Sequence, residues 1–255
     1  MTASGAIPYT NETPYEKNQR YNVITRWLHS FRYRNILMLF AELAKRIPDR
    51  PIRVLELGAA TGKLYAILDE RFSIDYIGVE FDRKFYETAV ERHGARANFR
   101  MQHRSAADAA VYTEVGHADI VVAMETCEHI PERESFRIIE HVAELRPAMF
   151  VCSVPVEVGP SLWIKNVGSA LMGYKRHKSY PWRDTFWAGL YMLDHLPPHR
   201  TGHRGFDWRW LAQSIRHFMA IREIRKNPFQ WLPNMFAMSV MMVAVPRDLA
   251  KGQDR

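Results

Sequence analysis

From Ile52 to Val154, short apolar runs rich in Val and Ile alternate with stretches of helical period, and this alternation leaves few architectures open. Strands are expected at 52–57, 75–80, 97–102, 118–123 and 149–154, with helices at 62–71, 83–93 and 132–145. Such an order argues for a parallel sheet covered on both faces. Ligands on sheets of this kind sit beyond the carboxyl ends of the strands. Upstream, Ile24, Trp27, Leu28 and Phe31 fall at helical spacing, and Ile36, Phe40, Leu43 and Ile47 continue it to Pro48. The aromatics of these helices are expected to pack on the sheet. The chain closes with a strand near Ala220–Ile224 and another at Met235–Val245, joined by a loop short enough for an antiparallel pair.

The segment Arg53 to Leu64 has the pattern of a ligand cradle. An apolar run containing Glu56 passes through Gly58 and Gly62 and resumes as a helix. Glycine allows backbone to approach a ligand closely, and the first turn of a helix offers unpaired N–H groups. Glu56 at the strand's end suits a cationic group better than a pyrophosphate, because a second anion beside a phosphate repels it. Glu80 closes the next strand 22 positions after Gly58, about the offset at which an acid meets ribose hydroxyls in nucleotide-binding βαβ units. Adenosine with a cationic tail describes S-adenosylmethionine. A dinucleotide is the weaker reading, since Gly58 and Gly62 stand four apart and Gly-x-Gly-x-x-Gly is absent.

With Glu56-x-Gly58-x-Ala60-x-Gly62, the chain resembles the class I S-adenosylmethionine-dependent methyltransferases, whose first motif reads acid-x-Gly-x-Gly-x-Gly. Ala60 stands where that motif has its middle glycine. The resemblance implies a Rossmann-like α/β fold: seven strands, mostly parallel, the last antiparallel and inserted between five and six, with helices on both faces. It also implies adenine contacts at Ser105 and Ala106, in the loop after the third strand. Phe81 and Met124 complete the expected cofactor set of Glu56, Gly58, Ala60, Gly62, Glu80, Ser105 and Ala106.

The fourth strand runs into Met124-Glu125-Thr126-Cys127-Glu128-His129-Ile130-Pro131. If 125–129 form one helical turn, Glu125, Glu128 and His129 share a face. Two carboxylates that close repel unless a cation sits between them, and a divalent metal would serve. The alternative is that the acids favour a helix dipole while His129 packs locally. The same residues resemble the ubiquinone-biosynthesis O-methyltransferases, and Glu-x-x-Glu-His is shared with small-RNA 3′-terminal 2′-O-methyltransferases. That resemblance implies a divalent metal (Mg²⁺, Mn²⁺ or Zn²⁺) at Glu125, Glu128, His129 and a downstream histidine. His203, in Gly202-His203-Arg204-Gly205-Phe206, is the expected fourth ligand, with His199 as competitor. Without a metal, His129 or His203 inherits the role of base. Metal-assisted O-methylation is the reading. RNA 2′-O-methylation, metal-free N- or C-methylation, and a non-catalytic cofactor-binding or membrane-docking subunit are its rivals.

With 255 residues, 47% of them hydrophobic, the chain is expected to form one domain over 35–246, after an extension over 1–34 and before a solvated tail over 247–255. Cys127 and Cys152 have no paired spacing, no apolar leader precedes the domain, and no run of about 18 apolar residues spans a bilayer. A cytoplasmic location follows, with peripheral contact at the inner membrane surface as an option. Between Glu157 and Asn227 stand twelve Lys or Arg against five acids, an excess of seven that equals the net charge of +7. The insertion 156–202 holds Trp163, Tyr174, Tyr180, Trp182, Phe186, Trp187 and Tyr191 beside Lys165, Lys175, Arg176, Lys178 and Arg183. It reads as a membrane-surface segment, as a clamp on a ring and phosphate, or as a plain helical cap. The expected partner is a small-molecule, glycan or lipid-linked acceptor, with nucleic acid less favoured.

Overall fold

The computed structural model describes residues 23–171 and 180–250, with side chains from residue 31 onward. It opens on one helix, α1 (Val23–Arg46), so the two helices expected here are continuous and the boundary expected at 34/35 falls inside a single element. Then follow β1 (Ile52–Leu57), α2 (Lys63–Asp69), β2 (Ile74–Glu80), α3 (Arg83–His93), β3 (Phe99–His103), α4 (Ala109–Val115), β4 (Ile120–Met124), α5 (Glu132–Leu145) and β5 (Met149–Pro155). Helix α4 is the crossover that the sequence pattern did not reveal. The last part holds α6 (Pro160–Leu171), α7 (Trp182–Gly189), α8 (Trp208–Phe218), β6 (Ala220–Asn227), β7 (Ser239–Val245) and the short α9 (Arg247–Ala250).

The strands form one sheet in the order β3-β2-β1-β4-β5-β7-β6. β7 runs antiparallel to both β5 and β6, and the other pairs are parallel. This is the Rossmann-like arrangement expected. Alternate residues serve opposite faces, as strand pleating requires. Leu55, Val121, Phe150 and Met242 belong to one core with α4, α5 and α8. Val54, Val122, Val151 and Val243 belong to the other, with α1, α2 and α3. β5 and β7 lie between both layers, and every residue in them is buried.

Helix α1 is fastened to the far end of the chain. Asn35 Nδ2 donates to Asn227 Oδ1 at 2.9 Å, and Asn227 Nδ2 donates to Ser239 Oγ at 3.1 Å. Arg222 pairs with Glu42 at 2.9 Å. In the insertion, α6 and α7 form a cap with a small core of Leu162, Tyr180, Ala188 and Leu196. Trp163 Nε1 donates to Thr185 O at 3.0 Å, so part of the insertion's aromatic set is structural. Trp182 and Phe186 are about half exposed. Tyr174, Lys175, Arg176 and Lys178 lie outside the described residues. The expected tail is docked as far as residue 250: Arg247 Nη2 donates to Arg216 O and His217 O at 2.6 and 2.7 Å.

Candidate active site

A cavity of about 610 Å³ opens beyond the carboxyl ends of β1, β2 and β4. Its floor is the loop between β1 and α2, where Gly58, Ala60 and Gly62 all have positive φ, at 75°, 46° and 75°. Gly58 N and Ala59 N donate to Val79 O at 2.8 and 3.0 Å, which ties the loop to β2. A Cβ on Gly58 would lie 2.5 Å from Thr126 Oγ1, so conformation and space both require glycine there. Of the nine expected cofactor residues, Gly62 alone does not line the cavity. It shapes the loop from beneath, where a Cβ would lie 2.8 Å from His93 Cδ2.

Glu80 is held by the cradle itself. Its Oε2 accepts from Ala60 N and its Oε1 from Asp82 N, each at 2.8 Å. Burial raises its pKa, opposed by those two amides. Glu56 is buried and accepts a short hydrogen bond from the Tyr76 hydroxyl. Burial pushes its carboxyl up to about 8, with Tyr76 opposing and Glu80 adding to the rise. A cation arriving beside it would restore the ionised form.

Two residues of this cavity escape a reading of sequence periodicity. Arg32 and Tyr33 reach it from α1, and Lys63 Nζ lies 4.9 Å from the centre of the Tyr33 ring. Thus α1 contributes to the site as well as to packing. The cationic character of Arg32 is the one signal that could have marked it.

The second part of the site departs from expectation. Residues 125–129 do not form one helical turn: Glu125 is left-handed with φ 52°, and only Cys127–His129 form a short 3₁₀ turn. Glu125 N donates to Ser153 O at 2.8 Å, which holds that kink against β5. The Glu125 carboxylate therefore faces Arg32, 3.5 Å away, rather than sharing a helix face with Glu128. Glu128 is fully buried, and neither of its oxygens has a hydrogen-bond partner among the described residues. Burial, reinforced by Glu125, drives its pKa well above the ordinary carboxyl range. His129 Nε2 lies 3.9 Å from Glu128 Oε1, and its ring centre is 5.5 Å from that of His203. Burial and the neighbouring His203 lower the His129 pKa.

His203 is thus brought to the site, while His199 is committed elsewhere. His199 Nε2 lies 3.1 Å from Glu128 O and 3.0 Å from Gly202 O, a bond that pins the turn to the downstream loop. Among the described residues, no three His, Cys, Asp or Glu side chains converge so as to hold a metal ion. The physical reason is the Glu125 kink. Chemically the set still suits a cation, since the buried Glu128 and the partly buried Glu125 carry three enclosed oxygens without hydrogen-bond partners among the described residues, beside two imidazoles.

The family described as "Methyltransferase domain" matches residues 28–222, well over half of the chain. The chain belongs to the methyltransferase domain family. As a methyltransferase of this kind, it takes S-adenosylmethionine as cofactor. The match is to the domain as a whole and does not single out the ubiquinone-biosynthesis subgroup. No curated protein sequence matches this methyltransferase.

Solved structures resemble it in fold. Magnesium protoporphyrin IX methyltransferase from Synechocystis PCC 6803, with bound SAH, is 15% identical, with 88% of each chain covered and a TM-score of 0.57. The methyltransferase domain of bacterial CtHen1-C is 16% identical, covers 86% of this chain and 99% of its own, and has a TM-score of 0.58. A TehB-like SAM-dependent methyltransferase from Corynebacterium glutamicum is 11% identical, covers 86% and 96%, and has a TM-score of 0.53. Among the described residues, no helix is long and apolar enough to cross a membrane.

Proposed function

We propose that this methyltransferase transfers the methyl group of S-adenosylmethionine to an oxygen of a small-molecule, glycan or lipid-linked acceptor, assisted by a divalent cation at Glu125, Glu128, His129 and His203. The observation that carries this reading is Glu128. A fully buried carboxyl with neither oxygen hydrogen-bonded stays protonated unless a cation compensates its charge, so Glu128 is poised to ionise onto one. When bound, such a cation lowers the pKa of an acceptor hydroxyl and makes its oxygen a nucleophile.

The chain's own residues supply the rest. Glu80, fixed by two backbone amides, would accept from the ribose hydroxyls with its remaining lone pairs. Glu56 would take the ammonium of the amino-acid tail, and Arg32 and Lys63, lining the same cavity, would supply positive charge for its carboxylate. Phe81, Ser105 and Ala106, which line the cavity, would hold the adenine, and Met124 would hold the methionine end of the cofactor. His129 is neutral near pH 7, because its pKa is lowered, so a ring nitrogen is available as ligand or as proton acceptor.

The test is to strip the protein with chelator and then restore Mn²⁺, Mg²⁺ or Zn²⁺ singly, following both turnover and melting temperature. Restored turnover with a rise in melting temperature, absent in Glu128→Ala, supports the metal. Full activity and an unchanged melting temperature in metal-free buffer would remove it and leave His129 or His203 as base.

Among acceptors, exposed apolar side chains favour one linked to lipid. Ile164, Val167 and Leu171 form an exposed stripe along α6, and Trp231, Met235 and Phe236 lie exposed in the loop that follows β6. α6 contacts the Asn234–Phe236 turn, so the helix that carries the stripe and the loop adjoin on the ligand side of the sheet. Co-sedimentation with anionic vesicles at low salt is the expected outcome, and failure to bind would point to a soluble acceptor.

A further inference from the structure

Glu157 follows β5 and belongs to none of the motifs that mark the site. It is fully enclosed, and its Oε1 faces two groups from different parts of the chain. Lys165 Nζ, on α6, lies 3.2 Å away, and His203 Nδ1 lies 3.6 Å away. Lys165 also donates to Val156 O at 2.8 Å, and the Tyr180 hydroxyl donates to Glu157 O at 3.2 Å. The cap therefore fixes both the carboxylate and its backbone.

A buried carboxylate needs a cation, and Lys165, itself only 10% exposed, provides one. His203, by contrast, is 45% exposed and sits between Gly202 and Gly205, both at positive φ. An imidazole whose Nδ1 faces a carboxylate is favoured by charge as the Nδ1–H tautomer even where the contact, here 3.6 Å, is longer than a hydrogen bond, and it then presents a bare Nε2 on the other side of the ring.

We propose that Glu157, backed by Lys165, is a positioning residue: it fixes His203 in the Nδ1–H tautomer, so that the bare Nε2 is offered to the site shared with His129. The positioning itself stands on geometry. Its consequence for methyl transfer rests on the role given to His203 above. The same contact joins the cap helix α6 to the acceptor side of the site.

The test uses the full chain, uniformly ¹⁵N-labelled and treated with chelator, well above the ordinary imidazole pKa. Two-bond ¹H–¹⁵N correlations report the tautomer, with the His203 signals assigned by their loss in His203→Asn. In the unmodified protein the Nδ1–H form should dominate. In Glu157→Gln, and in Glu157→Gln/Lys165→Met, which strands no buried ammonium, His203 should shift toward the Nε2–H form. kcat should fall by about 10-fold or more, with KM for the cofactor within about twofold. An Nε2–H tautomer in the unmodified protein overturns the proposal whether or not the variants fold, and so does an unchanged tautomer in the double variant. A shifted tautomer with unchanged kcat upholds the positioning and removes His203 from the chemistry, which is the failure of the function reading alone.

Discussion

In the cofactor half of the site, the loop amides of Gly58, Ala59 and Ala60 are all bonded and both oxygens of Glu80 are engaged. In the acceptor half, both oxygens of Glu128 and one of Glu125 have no hydrogen-bond partner among the described residues. The backbone of the first half is already fully bonded without a ligand. The second leaves three buried carboxyl oxygens without hydrogen-bond partners until something binds there. A nucleoside can be met by a pre-formed backbone shape, whereas activating an oxygen requires polar groups whose compensation arrives only with the reactants.

The sharpest way to break this contrast is Glu128→Leu. Transfer should fall by about 100-fold or more, while cofactor affinity changes little. The metal-free protein should at the same time gain about 1–3 kcal/mol, because a buried unpartnered carboxyl is replaced by a side chain of similar size. A lower melting temperature together with normal turnover would erase the distinction between the halves. On the cofactor side, Gly58→Ala should cost about 2–4 kcal/mol of stability and most of the cofactor affinity by calorimetry, since its Cβ meets Thr126 at a left-handed φ. Adding Thr126→Ala should recover part of that loss, and no recovery would place the strain in the backbone alone.

A pH series sharpens the same comparison. The carboxyl of Glu56 titrates at about 8 in the folded chain against an ordinary value of 4.5. The folded state therefore keeps a proton that the unfolded chain releases between those values, and this contribution to stability falls as pH rises toward 8. A cationic cofactor needs the ionised form, so the rise in melting temperature that it causes should grow over the same window. Glu56→Gln should flatten both trends. The smallest effect belongs to Asn35→Ala, which removes one buried hydrogen bond to Asn227 and should cost about 1–2 kcal/mol in urea unfolding with kcat nearly unchanged.

The sequence resolved the elements whose signals are local. The strand at 52–57, the helices at 83–93 and 132–145 and the glycine loop carry their periodicity and turn chemistry within a few residues, and they stand where expected. Helix α4 escaped because Ala109–Val115 is short and its apolar face is two residues, Val111 and Tyr112. The kink at Glu125 was hidden because a left-handed glutamate has no signature of its own and depends on the bond to Ser153 O. Arg32 and Glu157 were hidden for a different reason. Their partners Glu125 and His203 lie 93 and 46 positions away, and only the folded sheet brings them together.

The insertion of β7 between β5 and β6 has a consequence for how the molecule comes into being. Until the segment up to Val245 is available, one edge of β5, the six buried residues from Phe150 to Pro155, remains open to any passing strand. A nascent chain can already hold the glycine loop and both helical layers of its first half and still be adhesive. Synthesis of the final strand acts as the closing stitch, and a ribosome stalled just short of it would display a half-finished enzyme in need of a chaperone.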